Sequence, residues 1–247
     1  MFLSRLLLNP LNRTVERDLA NRHDLHRTIM RAFPSSGDSE AARASLGVLF
    51  RLEFEELQGL PRVYVQSKSE PNWSLLPSEY LVEQAENPAC RCLDAAYGRI
   101  KEGVVLAFTL VANPTRKVAT SSKTERLAGE KSNGRRTFIS DPQSQLVWLA
   151  RRAEAGGFDL VSTGSESAPP DVMSVPGDQV YGRKGRKENT GQTELEFGAV
   201  TFNGRLRVTD RRRFLGALAQ GFGSGKAYGF GLLSLAPASG YGRQGAE

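Results

Sequence analysis

The sequence predicts an α+β protein made of two units that share one order of elements: strand, helix, strand, strand, helix, strand. Three observations predict this class. Short apolar runs bounded by Gly, Pro and Asn alternate with runs of helical period. That order repeats from about residue 102, and 247 residues are enough for two compact cores. We therefore expect one domain over 1–100 and a second over 101–247.

The first unit begins with an apolar strand over 2–8, which Asn9 ends. Asn21 is a suitable N-cap for the following helix, and the buried stripe of that helix is predicted to be Leu25, Ile29 and Phe33. The other predicted elements of this unit are strands over 46–54 and 62–66 and a helix over 76–84.

The second unit is predicted to repeat this order with insertions. Its helices are expected over 142–156 and 210–220, the latter capped by Asp210. Its strands are expected over 104–112, 158–161, 193–201, 205–208 and 230–235.

Composition excludes several classes of protein. No apolar run reaches the length needed to cross a bilayer, so we expect a soluble protein without membrane partners. Cys90 and Cys92 stand without a second pair, which indicates neither a zinc site nor a disulfide framework and favours a reduced, cytoplasmic protein. The net charge of +6 permits a phosphate-rich partner without requiring one.

Two Gly/Ser/Asn-rich segments, 115–136 and 181–187, concentrate the positive charge and are predicted to be loops. Either they are solvated loops or they bind a polyanion, and charge alone does not decide between these. The basic residues that we select in them as nucleic-acid ligands are Arg116, Lys117, Arg183, Lys184, Arg186 and Lys187.

Both histidines of the protein lie on the first predicted helix. At about 100° per residue, His26 falls just outside the buried stripe, and His23, Arg27 and Arg31 follow around the helix. A single histidine at a core margin is usually structural, but two histidines one turn apart among arginines favour chemistry. RNA cleavage by an internal 2′-hydroxyl needs a base, an acid and positive charge, which imidazole and guanidinium groups supply. We predict a mechanism without metal or other cofactor.

A glycine-rich segment, 221–231, lies between the last helix and the last strand. Its glycines permit close approach of backbone N–H groups to phosphates, and Lys226 adds charge. A P-loop is disfavoured, because Gln220 and Ala227 stand where glycine and Ser/Thr are needed. The alternative is a plain connection. The expected RNA ligands here are Gly223, Gly225, Lys226 and Gly229.

These motifs together resemble the CasE family, the endoribonuclease subunits of type I-E CRISPR Cascade. The resemblance spans nearly the whole chain. It rests on a set of segments in a fixed order: the opening strand ending in Leu8-Asn9-Pro10, Asp18-Leu-Ala-Asn21, Leu25-His-Arg-Thr28, Val65-Gln66, Glu70-Pro-x-Trp73, Ala112-Asn-Pro114 and Gly223-x-Gly-Lys-Ala-x-Gly-x-Gly-Leu-Leu233.

The resemblance implies two tandem ferredoxin-like, RRM-related domains and cleavage at the 3′ base of a CRISPR repeat hairpin. It further implies 5′-hydroxyl and cyclic phosphate ends, retention of the crRNA, and assembly with other Cascade subunits. The family's catalytic histidine corresponds to His26 and a basic residue to Arg31, while some relatives carry tyrosine where this sequence has His23. Which histidine is acid and which is base stays open. The alternative function is a non-catalytic RNA-binding scaffold subunit.

Overall fold

The computed structural model describes residues 1–34, 45–55, 57, 59–118, 135–162, 164, 168–184 and 193–238. None of the helices within these ranges is both long and apolar enough to span a bilayer. The elements of the first half are β1 (Phe2–Leu7), α1 (Arg13–Ala20), α2 (Arg22–Met30), β2 (Leu49–Phe54), β3 (Pro61–Ser67), a 3-10 turn (Trp73–Leu75), β4 (Ala89–Cys92) and α3 (Asp94–Gly98).

The first four strands form an antiparallel sheet in the order β2-β3-β1-β4. Apolar residues two apart on a strand share one face, and one such face carries the core. Helix α2 contributes the stripe that its sequence period predicts. The fully buried members of this core include Leu6, Leu8, Leu25, Ile29, Phe50 and Val63.

The second half contains more elements. They are β5 (Val105–Ala112), β6 (Thr115–Val118), β7 (Arg135–Phe138), α4 (Pro142–Ala155), β8 (Phe158–Leu160), β9 (Val172–Pro176), β10 (Val180–Lys184), β11 (Thr193–Phe197), β12 (Val200–Val208), α5 (Arg211–Gln220), a 3-10 turn (Lys226–Tyr228) and β13 (Leu233–Pro237).

The second sheet has the order β13-β5-β12-β8. In reverse, β8-β12-β5-β13 matches β2-β3-β1-β4 of the first sheet, when β5, β8, β12 and β13 are taken as the first to fourth strands of the second domain. Strand β9 adds to β12, while β6–β7 and β10–β11 form two separate antiparallel ribbons. The predicted α+β class with tandem ferredoxin-like domains is therefore confirmed. Ile100 packs in the second core. The boundary between residues 100 and 101 stays a prediction.

The helix predicted over 76–84 is wrong. Leu76 is extended at ψ 157°, as expected for a residue that precedes proline, and residues 77–84 form turns and a bridge instead of a helix. Tyr80 instead turns inward, where it is 1% exposed and its hydroxyl donates to Asp18 at 2.9 Å. Leu81 forms a bridge to Leu8.

Two strand predictions are also wrong, and two helices, α1 and α3, are missed. The strands predicted over 193–201 and 205–208 are instead β11 and an unbroken β12. The break falls at Gly198, where a Cβ would lie 2.4 Å from the Phe138 ring, and Gly204 continues β12 because the Asp171 carbonyl packs against it. Helix α1 went unpredicted, although Asn12 caps it by accepting from two backbone N–H groups. The basic segments 115–136 and 181–187 are not loops throughout, because β6, β7 and β10 take up part of them.

The two domains are joined by specific side-chain hydrogen bonds. Gln66 Nε2 of β3 donates to the carbonyl of Leu218 in α5 at 2.7 Å. Arg51 Nη1 of β2 donates to the Ser234 hydroxyl of β13 at 2.8 Å. The glycine-rich segment runs between α5 and β13, and its 3-10 turn packs against α2.

Candidate active site

The two predicted histidines lie on α2 at the junction of the domains. The helix begins after Asn21, whose side-chain oxygen accepts from the His23 N–H at 3.2 Å. His26 is 5% exposed, and its ring stacks on Phe50 with centroids 6.0 Å apart. His23 lies beside Tyr228 at 6.1 Å. The helix cap and two aromatic rings thus hold both imidazoles.

The glycine-rich segment approaches the histidines through the same aromatic rings. Gly229 has φ +89°, and a Cβ there would lie 3.1 Å from the Phe50 ring on which His26 stacks. Tyr228 packs against Gly182 of β10 and stacks near Phe197 at 4.4 Å. Burial raises the pKa of the Tyr228 hydroxyl. Residues 221–231 therefore contact both domains and are more than a plain helix-to-strand connection. We refer to this segment as the clamp.

Arg22 is a further cation on α2. Its Nη1 is buried without a hydrogen-bond partner among the described residues, and burial lowers its pKa to about 10. Residues four apart share a helix face, so Arg22 lies one turn before His26. A desolvated guanidinium without a counter-charge is a costly arrangement that an anionic ligand would relieve.

Arg27 and Arg31 lie on the exposed side of α2. The Arg27 side chain is 73% exposed and lies 3.6 Å from Asp24. Arg31 is exposed at the C-cap, about 140° around the helix from His26. Burial, then Asp18, raises the pKa of Tyr80, and the charge of Arg31 opposes this shift. The catalytic role of Arg31 stays a prediction.

A basic cleft of about 670 Å³ lies between β6 and α4. Arg116 and Lys117, both selected from the sequence, line it together with Arg151 and Arg152 of α4. Trp148 also lines the cleft, with its Nε1 buried and unpartnered among the described residues and the Arg152 guanidinium 5.5 Å from its ring. We refer to this surface as the basic cleft.

Lys226 connects the basic cleft with the clamp. Burial lowers the pKa of its ammonium group, and the charge of Arg152 lowers it further. The 3-10 turn that Lys226 begins also contains Tyr228 and ends at Gly229. Positive charge therefore extends from α4 to the loop that touches the histidine helix.

The remaining predicted ligands are distributed unevenly. Arg183 and Lys184 lie on β10, which packs against α2. Arg186 and Lys187 lie outside the described residues. Gly223 and Gly225 both have φ +78°, so their left-handed backbone requires glycine. Among the described residues, no group of three or more His, Cys, Asp or Glu side chains is arranged to hold a metal ion.

Several residues of this surface were missed in the sequence. Arg151 and Arg152 had a usable signal, since Trp148 and Arg152 lie four apart on one helix face. Phe50 and Tyr228 had none, because the folding of the first domain brings Phe50 to His26, and only the packing of the two domains brings Tyr228 to His23.

Comparison with known proteins places this arrangement in a family. A family model described as "CRISPR associated protein" matches residues 1–237. The chain belongs to this CRISPR-associated family. It is 35% identical over 237 residues to the CRISPR-associated endoribonuclease Cse3 of Thermus thermophilus, covering 96% of this chain and 100% of that protein.

One further relative and a solved structure are similar over the same extent of the chain. The Cascade subunit CasE of Escherichia coli K12 is 26% identical, again over 96% of this chain and 100% of the relative. A structure of Cse3 bound to a 19-nucleotide RNA superimposes with a TM-score of 0.73 at 36% identity, over 96% of this chain and 100% of that one. The resemblance seen in the sequence is confirmed along nearly the whole chain.

Proposed function

We propose that this protein is the endoribonuclease that processes CRISPR precursor RNA. It binds the repeat hairpin, cuts at the 3′ base of the stem and keeps the crRNA as a subunit of Cascade in the cytoplasm. The observation that carries the proposal is the placement of His26 on the helix where the clamp meets it, with the basic cleft continuing from the clamp. The similarity to the endoribonuclease Cse3 supports it.

The proposed reaction uses the 2′-hydroxyl of the nucleotide before the cut. One imidazole of the His23/His26 pair takes the hydroxyl proton while the 2′-oxygen attacks phosphorus. The bond from phosphorus to the 5′-oxygen breaks, and the other imidazole protonates that oxygen. The products are a 2′,3′-cyclic phosphate and a 5′-hydroxyl. Arg31 and Arg22 are the cations assigned to the developing phosphorane charge.

Binding of the hairpin is assigned to phosphate contacts. Side chains cannot reach bases in the deep groove of A-form RNA, so a stem is recognised through its shape and phosphates. The basic cleft and Lys226 offer cations along one surface for this purpose. Arg27, Arg183, Lys184, Arg186 and Lys187 are proposed as further phosphate ligands, and Gly223, Gly225 and Gly229 are proposed to let the RNA backbone approach closely.

The test is single-turnover cleavage of the repeat RNA in excess chelator by wild type and His26→Ala. We expect wild type to cut, the variant to bind with unchanged affinity, and its cleavage rate to fall by about 10³-fold. A substrate with a 2′-deoxy sugar before the cut should bind and stay intact. Wild type that binds the hairpin but never cuts it would support the alternative, a scaffold subunit.

A further inference from the structure

A second cleft, of about 1070 Å³, lies on the other side of the β6–β7 ribbon. The β10–β11 ribbon forms its opposite wall, and Thr115 lines both clefts. The floor of this second cleft differs from the basic cleft. It consists of neutral polar side chains, with Arg136 and Glu196 both exposed at its edge.

Gln145 is the most buried polar residue of this floor. It is 2% exposed, and its Nε2 donates to the carbonyl of Ile139 at 2.9 Å. That bond fixes the orientation of the amide. The Oε1 atom is consequently the buried atom without a hydrogen-bond partner among the described residues. The side chain presents an acceptor that nothing in its described surroundings uses.

Two further buried side-chain oxygens on the same floor lack hydrogen-bond partners among the described residues. Asn113, 5% exposed, and Ser224 form a β-bridge between the end of β5 and the clamp. Both Asn113 Oδ1 and Ser224 Oγ are buried without partners among the described residues. Buried polar groups are normally paired, so three unpaired oxygens lining one cleft indicate a ligand rich in N–H donors.

The walls of the cleft are aromatic. The Phe138 ring packs against Gly198, which has no side chain to separate them. The Phe197 ring lies on the other side and packs against Tyr228. A planar ligand with N–H donors along its edge and π faces above and below matches this combination of floor and walls. The phosphate ligand that suits the basic cleft does not, because the floor supplies acceptors rather than cations.

From this geometry we infer that the second cleft binds one unpaired nucleobase of the RNA, a base that carries an exocyclic amino group. The amino group donates to the Asn113 and Gln145 oxygens while the ring stacks on Phe138 or Phe197. A paired base is excluded because its edge is occupied and its groove is closed to side chains. The inference rests on the proposed function, since RNA binding delivers the base, and it adds a sequence-reading site.

The test is a scan of the repeat RNA in which each unpaired nucleotide is replaced in turn by an abasic site. Wild-type protein should lose about tenfold in affinity at one position, as expected for one stacked and hydrogen-bonded base. Asn113→Ala should lose affinity for the intact RNA and become insensitive at that position only. Asn203→Ala is the matched control, because Asn203 is an asparagine of the same sheet that pairs with Thr109 and does not line the cleft.

A second arm uses wild-type protein alone, so that it does not depend on how the variants fold. At the sensitive position the amino group is deleted, with inosine for guanine, purine for adenine or pyrimidin-2-one for cytosine. We expect this single change to reproduce most of the tenfold loss of affinity. Ser224→Ala serves as a milder variant of the floor, and thermal unfolding checks each variant.

The outcomes separate the two proposals. A flat abasic scan, equal scans for wild type and Asn113→Ala, or full affinity after amino deletion overturns the base site while cleavage of the hairpin stands. If the wild-type protein neither binds nor cuts the repeat RNA, both proposals fail together.

Discussion

The two domains have the same order of strands in their sheets and differ in what is attached to them. In the first domain the connection after β1 is a pair of helices, and the second of these carries both histidines to the domain junction. In the second domain the connections contain the β6–β7 and β10–β11 ribbons, which form the walls of the clefts. The chemistry and the binding surfaces are therefore built on the same scaffold by different additions.

This difference predicts that rate and affinity are separable. Changes on α2 should alter the cleavage rate of bound RNA, whereas changes on the ribbons and α4 should alter affinity. The clamp touches both domains, so changes there should alter both quantities.

After His26→Ala, the largest effect is expected for His23→Ala. Loss of an acid or base should lower the single-turnover rate at saturating protein by about 10²-fold or more, with the Kd for the repeat RNA within about twofold of wild type. Arg13→Ala, an exposed change on α1, is the control. A Kd that rises as much as the rate falls would show that His23 holds RNA, and the separation of the domains by role would break.

The double change Arg151→Ala/Arg152→Ala should act in the opposite way. Because the variant lacks two cations that neutralise phosphates, we expect the Kd at 0.15 M salt to rise by about 10- to 100-fold and the slope of log K against log salt to become shallower by about 1 to 2. The single-turnover cleavage rate at saturating protein should stay unchanged. Arg13→Ala/Arg91→Ala removes the same charge from exposed positions of the first domain. An equal loss of RNA affinity in this control variant would indicate a general charge effect.

Gly229→Val tests the clamp. The backbone at φ +89° disfavours a β-branched residue, and the new Cβ would press on Phe50 beneath His26. We expect the cleavage rate to fall by about tenfold, in line with a strain of about 1–3 kcal/mol, with a smaller rise in Kd. In Gly216→Ala, a helical position with open space around it, activity should persist and the melting temperature should rise. Unchanged cleavage by Gly229→Val would show that the clamp is dispensable.

The smallest effect is expected for Arg22→Met. Removal of a guanidinium whose Nη1 is buried without a partner among the described residues should raise the free energy of unfolding by about 1 kcal/mol, measured by urea denaturation. Cleavage of bound RNA should slow by severalfold, because Arg22 is one of the cations assigned to the developing phosphorane charge. Because its pKa is depressed in the folded state, wild type should also gain stability between about pH 10 and 12.5, and the variant should lack that gain. A less stable variant would mean that the guanidinium is satisfied in the free protein.

Much of this fold follows from local sequence signals. Asn21, Asp141 and Asp210 cap helices that are predictable from their side chains, and the apolar runs of β1 and β5 predict central strands. The failures have physical causes outside the local pattern. Pro77 overrides an apparent helical period, and Gly204 ends no strand because its role is close packing against Asp171.

The site was predictable only in part. His23 and His26 are noticeable because they are the two histidines of the chain and lie one turn apart. Nothing local shows that Phe50 of β2 stacks on His26, which requires the folded first domain, or that Tyr228 lies beside His23, which requires contact between the domains. The acceptors of the second cleft are equally hidden, because Asn113, Gln145 and Ser224 come from three separate segments.

The clamp also has a consequence for the order in which the protein is made. The histidine helix leaves the ribosome early, whereas the loop that seats on it follows the last helix of the second domain. A nascent chain that has folded its first domain therefore holds both imidazoles without the backbone that completes their surroundings. Cleavage competence should thus arrive only after the second domain has been synthesised.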